Sequence, residues 1–221
     1  MTFFKKFKKQ TLLNILRRMK KLKHAQLLLS QINHEIDGVA FESKDERDRV
    51  SGALFDTVLD HANAIIVLIE NNIYSSAYAL VRPLFEGFVR ATWLLNCATY
   101  DDIELLIEKD KFRKAFGEML ECIEEKKAWP KTLAKAKQNA WNAMHSYTHG
   151  GLHQISRKIK SASIEPVIDE EEIDEIICFA ELIGTLSFSA MIEMSTASGK
   201  DSVVERITES VSKECFNKSV K

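Results

Sequence analysis

With eight glycines and three prolines among 221 residues, the chain has few places at which it can turn tightly. A many-stranded sheet needs a turn roughly every 8–12 residues, whereas long helices need far fewer. The apolar residues agree, recurring at steps of three and four rather than alternating. Leu12, Ile15, Leu16, Met19 and Leu22 do so within a helix expected over roughly 3–33. Val50, Leu54, Val58, His61, Ile65 and Leu68 form one stripe of a second helix, which ends near Asn71 and begins where Ser43 and Glu46 have capping-box spacing. A third helix, over 74–97, is the most apolar and contains Pro83, so a kink or a local helix start is expected there. A fourth starts at Thr99 or Asp101 and runs to Pro130. Residues 131–149 form a helix stopped by Gly150-Gly151, followed by a short extension at 152–160. A long helix over 170–197 ends at Gly199, and an amphipathic one covers 201–216. The expectation is an all-α bundle of six to seven helices around a four-helix core, with no strands. It divides into a basic amphipathic helix, 1–36, and one bundle domain, 37–221.

Charge is unevenly placed. Residues 1–24 hold nine of the 31 Lys and Arg and no acid, which leaves 22 basic against 32 acidic residues in the remainder. A basic arm on an acidic body points to an anionic partner or surface. Lys5, Lys9, Arg17 and Arg18 are its candidate RNA contacts, and Phe3, Phe4 and Phe7 between the lysines suit base stacking or an anionic membrane surface. Packing on another subunit and a solvated basic face are the other readings. The cysteines, Cys97, Cys122, Cys178 and Cys215, are far apart in sequence, without a C-x-x-C pair, so neither a zinc ribbon nor a disulfide framework is expected. Reduced thiols imply a cytoplasmic protein. The most apolar run, "HANAIIVLIENN", is read as too short to span a bilayer, and no secretory signal is recognised.

Two clusters carry chemistry. Arg82, Glu86 and Arg90 stand at i, i+4, i+8 on the apolar third helix. Charges in such a setting must be paired or line a cavity. They form either an ionic cluster that fixes packing or a pocket in which Arg82 or Arg90 binds an anion. The stretch "MHSYTHGGLHQ" places His145, His149 and His153 at four-residue intervals. No H-E-x-x-H motif or nearby carboxylate accompanies them, so no metal or other cofactor is expected here. Metal-free acid–base chemistry fits better: an imidazole takes a proton from a ribose 2′-OH or gives one to a leaving oxygen, while an arginine holds the phosphate. His149 and His145 are the candidate acid–base residues, with Arg82 and Arg90 on the phosphate and Asn142, Ser146, Tyr147 and Gln154 as further contacts. The structural alternative is that His149 closes the helix and packs on Trp141. Pattern alone suggests that the histidines and the arginine face meet.

"RPLFEGFVRATWLLNCAT", followed some fifty residues later by "WNAMHSYTHGGLHQ", resembles a group of bacterial helical proteins that pair an R-x-L-x-E helix with a helix ending in S-x-x-H-G. More distantly, it resembles the HEPN helical-bundle superfamily, over roughly residues 50–155. Arg82, Glu86, Arg90, Trp93, Trp141, His149, Gly150 and Gln154 carry the resemblance. It implies a protein of antiphage defence or toxin–antitoxin systems that binds RNA; many HEPN proteins also cleave it without metal, and others only bind nucleotides or partners. The alternatives are a non-enzymatic interaction subunit, antitoxin-like or scaffold, and a small-molecule or nucleotide sensor that uses the Arg82, Glu86 and Arg90 pocket. A homo-oligomer or a partner protein encoded nearby is implied as well. The Arg-x4–6-His motif of active HEPN ribonucleases does not precede His145 or His149; Gln138, Asn139, Ala140, Asn142, Ala143 and Met144 stand there. The usual catalytic motif is therefore either missing or rebuilt in three dimensions.

Overall fold

The computed structural model describes residues 2–37, 45–195 and 201–216, with side chains from Leu16 to Cys215. These residues form nine helices and one small two-stranded ribbon. The helices are α1 (Thr2–Ile36), α2 (Glu46–Glu70), α3 (Tyr74–Asn96), α4 (Tyr100–Lys109), α5 (Phe116–Lys126), α6 (Thr132–Thr148), α7 (Leu152–Ser156), α8 (Glu170–Met194) and α9 (Asp201–Phe216). The architecture is all-α, as the breaker-poor sequence implied. α3, apolar almost all round, is central and packs against α2, α5, α6 and α8. α8 gathers α1, α2 and α9. One core joins Ala25, Leu29 and Ile32 of α1, Phe55 and Ile65 of α2, Phe85 and Phe88 of α3, and Phe188 of α8. Each large side chain removed from water here contributes about 1.5–3 kcal/mol.

Two 25-residue helices, α2 and α8, are long and apolar enough to cross a membrane by length and composition, although no such segment was expected from the sequence. In the fold, 61% of the apolar stretch of α8 and 39% of that of α2 is buried among the other helices.

Four features differ from the sequence expectation. The single helix expected from Thr99 to Pro130 is two, because Asp110 takes a left-handed conformation (φ 50°) and ends α4. Asp tolerates that region better than most residues, so no glycine or proline marks the break. Glu118 accepts from the Ala115 N–H at 2.8 Å and starts α5. Asp45, rather than Ser43, caps α2, its carboxylate accepting from Asp48 N–H at 3.0 Å; Ser43 lies outside the described residues. α8 ends at Met194, and Gly199 too is outside them. Finally, β1 (Ile159–Lys160) and β2 (Ser163–Ile164) pair antiparallel, Ile159 opposite Ile164. Two residues per strand are too few to show alternation in the sequence. The Thr99 cap does form, in a capping box with Asp102.

Pro83 does not interrupt α3. Lacking an N–H, it leaves the Ala79 carbonyl without its usual helical donor. The Thr148 hydroxyl, at the end of α6, lies 3.2 Å from that oxygen and 2.9 Å from its own Met144 carbonyl. The proline thus ties the end of α6 to the middle of α3. Thr148→Val keeps the shape and removes the donor, and is expected to cost about 1 kcal/mol in urea unfolding.

The basic arm is not a free appendage over its described side chains. Arg17 pairs with Asp174 (3.2 Å), Arg18 with Glu170 (3.0 Å) and Lys21 with Asp174 (3.2 Å), all on α8. His24 meets Glu181, also on α8, at 2.6 Å. The division at residue 36 therefore does not follow a gap in packing: the second half of α1 shares the core of the bundle.

Candidate functional site

The turn at the end of α6 fixes the histidines. His149 is the C-cap residue, and Gly150 takes φ +68°, a conformation a side chain resists. The Gly151 N–H then returns to the Ser146 carbonyl at 2.7 Å. A Cβ on Gly151 would lie 2.5 Å from Ser146 Oγ and 3.2 Å from Ser146 Cα, so this approach requires glycine. His145 and His149 stand on successive turns, ring centroids 4.5 Å apart. Both face α3.

There they meet Arg82. Its Nη1 lies 2.6 Å from His145 Nδ1 and 3.3 Å from His149 Nε2. Its Nε donates to Glu86 Oε1 at 2.7 Å, and its guanidinium carbon sits 4.7 Å from the centre of the Trp141 ring. Trp141 in turn stacks on Phe116 at 4.9 Å. An arginine can only donate. For these contacts to be hydrogen bonds, the imidazole nitrogens facing it must accept, His145 through Nδ1 and His149 through Nε2. The Nη2 group has no partner among the described residues.

Glu86 also receives Arg90, at 3.3 Å, and the Arg90 guanidinium lies 5.1 Å from the Phe112 ring. The ionic cluster and the pocket expected as alternatives from the sequence are one structure. A cavity of about 370 Å³ opens between α2 and α3 at the end of α6, bordered by His61, Arg82, Glu86, Arg90, Thr148 and His149. The cluster is half-buried rather than enclosed: side-chain exposure is 16% for Glu86, 19% for Arg82 and 39% for Arg90. Glu86→Ala is therefore expected to cost about 1–3 kcal/mol, less than the 3–5 kcal/mol of breaking a fully buried pair. Denaturant unfolding measures it, and an unchanged midpoint would show that solvent already satisfies both arginines.

Several sequence candidates lie elsewhere. Tyr147 is buried, stacks on Tyr78 at 5.1 Å and donates its hydroxyl to Glu172. Burial, then that hydrogen bond, pushes its hydroxyl up to about 12, so it remains a donor at neutral pH. It faces α8 because residues 147 and 149 lie on different sides of α6. Gln154 donates to the Ser75 carbonyl at 3.0 Å, fastening α7 to the start of α3. Asn142 is exposed on α6 and does not border the cavity. His153 has turned away, its ring 6.1 Å from Tyr147 and its N–H donating to Ser146 Oγ at 2.9 Å. Arg17 and Arg18 face the acids of α8. The side chains of Lys5 and Lys9 lie outside the described residues. Conversely, His61 and Thr148 were not singled out for the site. The signal for His61 was its place in the apolar stripe of α2, where a polar residue needs a reason.

No curated protein and no solved structure matches the chain. A family model does match, over residues 55–218, a span that takes in the whole cavity except Leu54 at its rim. The chain belongs to the family of unknown function DUF6988.

Proposed function

We propose that the chain binds RNA at this cavity, in the cytoplasm, and cleaves it by metal-free acid–base chemistry, as a HEPN-like protein of antiphage defence or toxin–antitoxin systems. The observation that carries this reading is the single guanidinium of Arg82 within hydrogen-bond reach of two imidazoles, His145 and His149. This reading takes that contact, made between two helices, as the counterpart of the arginine–histidine pairing that HEPN ribonucleases carry on one helix. A phosphodiester entering the cavity competes with the imidazoles for the Arg82 donors. Once Arg82 turns to the phosphate oxygens, His145 Nδ1 and His149 Nε2 are free to accept protons. One neutral imidazole then removes the proton from the ribose 2′-OH as that oxygen attacks phosphorus. The P–O5′ bond breaks, and the other imidazole, protonated from solvent, gives its proton to the departing 5′-oxygen. The products are a 2′,3′-cyclic phosphate and a 5′-hydroxyl. Incubating the protein with RNA in EDTA tests this. Fragments with those two ends are expected, whereas RNA left intact with and without divalent metal would remove the enzymatic reading.

A second reading, a nucleotide sensor, has its own observation. Outside residues 1–24 the chain carries 22 basic against 32 acidic residues, and Arg17, Arg18 and Lys21 are paired with the chain's own acids. Such a body suits one phosphate-bearing nucleotide in a cavity of about 370 Å³ better than a long polyanion. Thermal stabilisation by mononucleotides, without cleavage of RNA, would favour it.

A further inference from the structure

The four cysteines are widely spaced in sequence, but the fold gathers them in two pairs, Cys97 with Cys122 and Cys178 with Cys215, and the second pair has a buried carboxylate beside it. Cys178 of α8 and Cys215 of α9 place their sulfurs, together with a Glu181 carboxylate oxygen, all within 4.8 Å of one another. Cys215 Sγ lies 3.4 Å from Glu181 Oε2. Glu181 is wholly buried in an otherwise apolar part of α8. Its other oxygen, Oε1, meets His24 Nδ1 at 2.6 Å, and His24 Nε2 meets Ser210 Oγ at 2.8 Å. Lys21 Nζ lies 3.7 Å from Cys178 Sγ while paired with Asp174. None of these residues belongs to the Arg82 cavity.

We propose that Cys178, Glu181 and Cys215 form a zinc site joining α8 to α9, with His24 of α1 orienting the carboxylate. Three observations point this way. The ligand atoms are nearly at metal spacing: a tetrahedral zinc with sulfur at about 2.3 Å and oxygen at about 2.1 Å holds S and O roughly 3.6 Å apart and two sulfurs roughly 3.8 Å apart. The 3.4 Å between Cys215 Sγ and Glu181 Oε2 already fits, and small rotations bring in Cys178. The donor set is also selective, since two thiolates favour zinc over magnesium or calcium. Further, the support around the ligands is in place. A histidine on the non-ligating carboxylate oxygen fixes which oxygen faces the ion, and an ammonium beside Cys178 steadies its anionic sulfur. Charge also balances on binding: the divalent ion enters, each thiol releases one proton to solvent, and the buried net charge is unchanged. Three protein ligands leave a fourth position for water.

Cobalt(II), which takes zinc sites and reports thiolate ligation by absorbance, is the probe. The full chain is stripped with chelator under a phosphine reductant, then titrated. One Co²⁺ per chain with a sulfur-to-cobalt charge-transfer band, displaced by Zn²⁺, is expected. Cys178→Ser and Cys215→Ser should each abolish the band, Cys97→Ser should retain it, and His24→Ala should weaken binding about 10–100-fold. Far-ultraviolet circular dichroism checks that each variant is folded. Should a cysteine variant not fold, alkylation of wild type decides: Zn²⁺ should protect Cys178 and Cys215 from iodoacetamide while Cys97 and Cys122 react unchanged. No band in the wild type, a band that survives the Cys178→Ser/Cys215→Ser double substitution, or no protection would overturn the site. So would isolation of these two cysteines as a disulfide that reduction does not convert to a metal-binding form.

Discussion

His149→Ala is expected to lower RNA cleavage by about 10²–10⁴-fold, the range for loss of a positioned acid–base group. The fold should barely notice. His149 is exposed, and its side-chain contacts are Arg82 at 3.3 Å and the neighbouring His145 ring. Its backbone carries the helix-ending turn, and alanine keeps that backbone. Stability should therefore stay within about 0.5 kcal/mol of wild type. His145→Ala should give a loss of the same order, because one imidazole must accept a proton while the other donates. Together the two substitutions should cost little more than either alone, since residues that act as a unit are not additive. Arg82→Ala should reduce cleavage by about 10²–10³-fold and also weaken RNA binding, which separates phosphate holding from proton transfer. If His149→Ala lowers stability and activity in parallel, the histidine is a helix cap and no more.

Glu172→Ala is expected to have the largest effect on stability among the substitutions considered, about 2–4 kcal/mol. Glu172 accepts from both Arg157 Nε and Nη2, at 2.7 and 2.8 Å, and from the Tyr147 hydroxyl. Removing it leaves a guanidinium that is 26% exposed without its counter-ion and a buried phenol without an acceptor. Arg157 follows α7, so this network holds the turn after His149 against α8. Activity should then fall by loss of a well-ordered α6 end, with KM and kcat changing together. Glu172→Gln keeps one acceptor oxygen and should recover part of the stability. Thermal unfolding of both variants beside Arg157→Lys, which keeps the charge but not the two-pronged contact, distinguishes charge from geometry.

The long helices were legible because their apolar period runs unbroken and their ends carry caps or glycines. The break at Asp110 was not, since a left-handed aspartate followed by four polar or aromatic residues resembles the face of a helix. The meeting of Arg82 with His145 and His149 could be suspected from polar residues on two apolar helices. Direction around a helix was harder. Tyr147 and Gln154 stand among the candidates in sequence, yet their rotation and the turn at Gly150-Gly151 carry them to α8 and α3. The Cys178–Glu181–Cys215 cluster had no sequence signal, because its second cysteine arrives on another helix and no spacing rule spans that loop.

The most direct measurement is a titration of histidine-labelled protein with a 2′-deoxy oligonucleotide, which offers the phosphates but lacks the attacking hydroxyl. Imidazole ¹⁵N signals, assigned by single His→Ala variants, report where it binds and which nitrogens carry protons. In the free protein, His145 should be protonated on Nε2 and His149 on Nδ1. On titration both should shift together, with His61 beside them, while His34 and His153 stay in place, and Arg82→Ala should abolish the shifts. Unmoved His145 and His149 signals at saturation, or shifts confined to His24 and His34 near the basic helix, would contradict the assignment of RNA to this cavity.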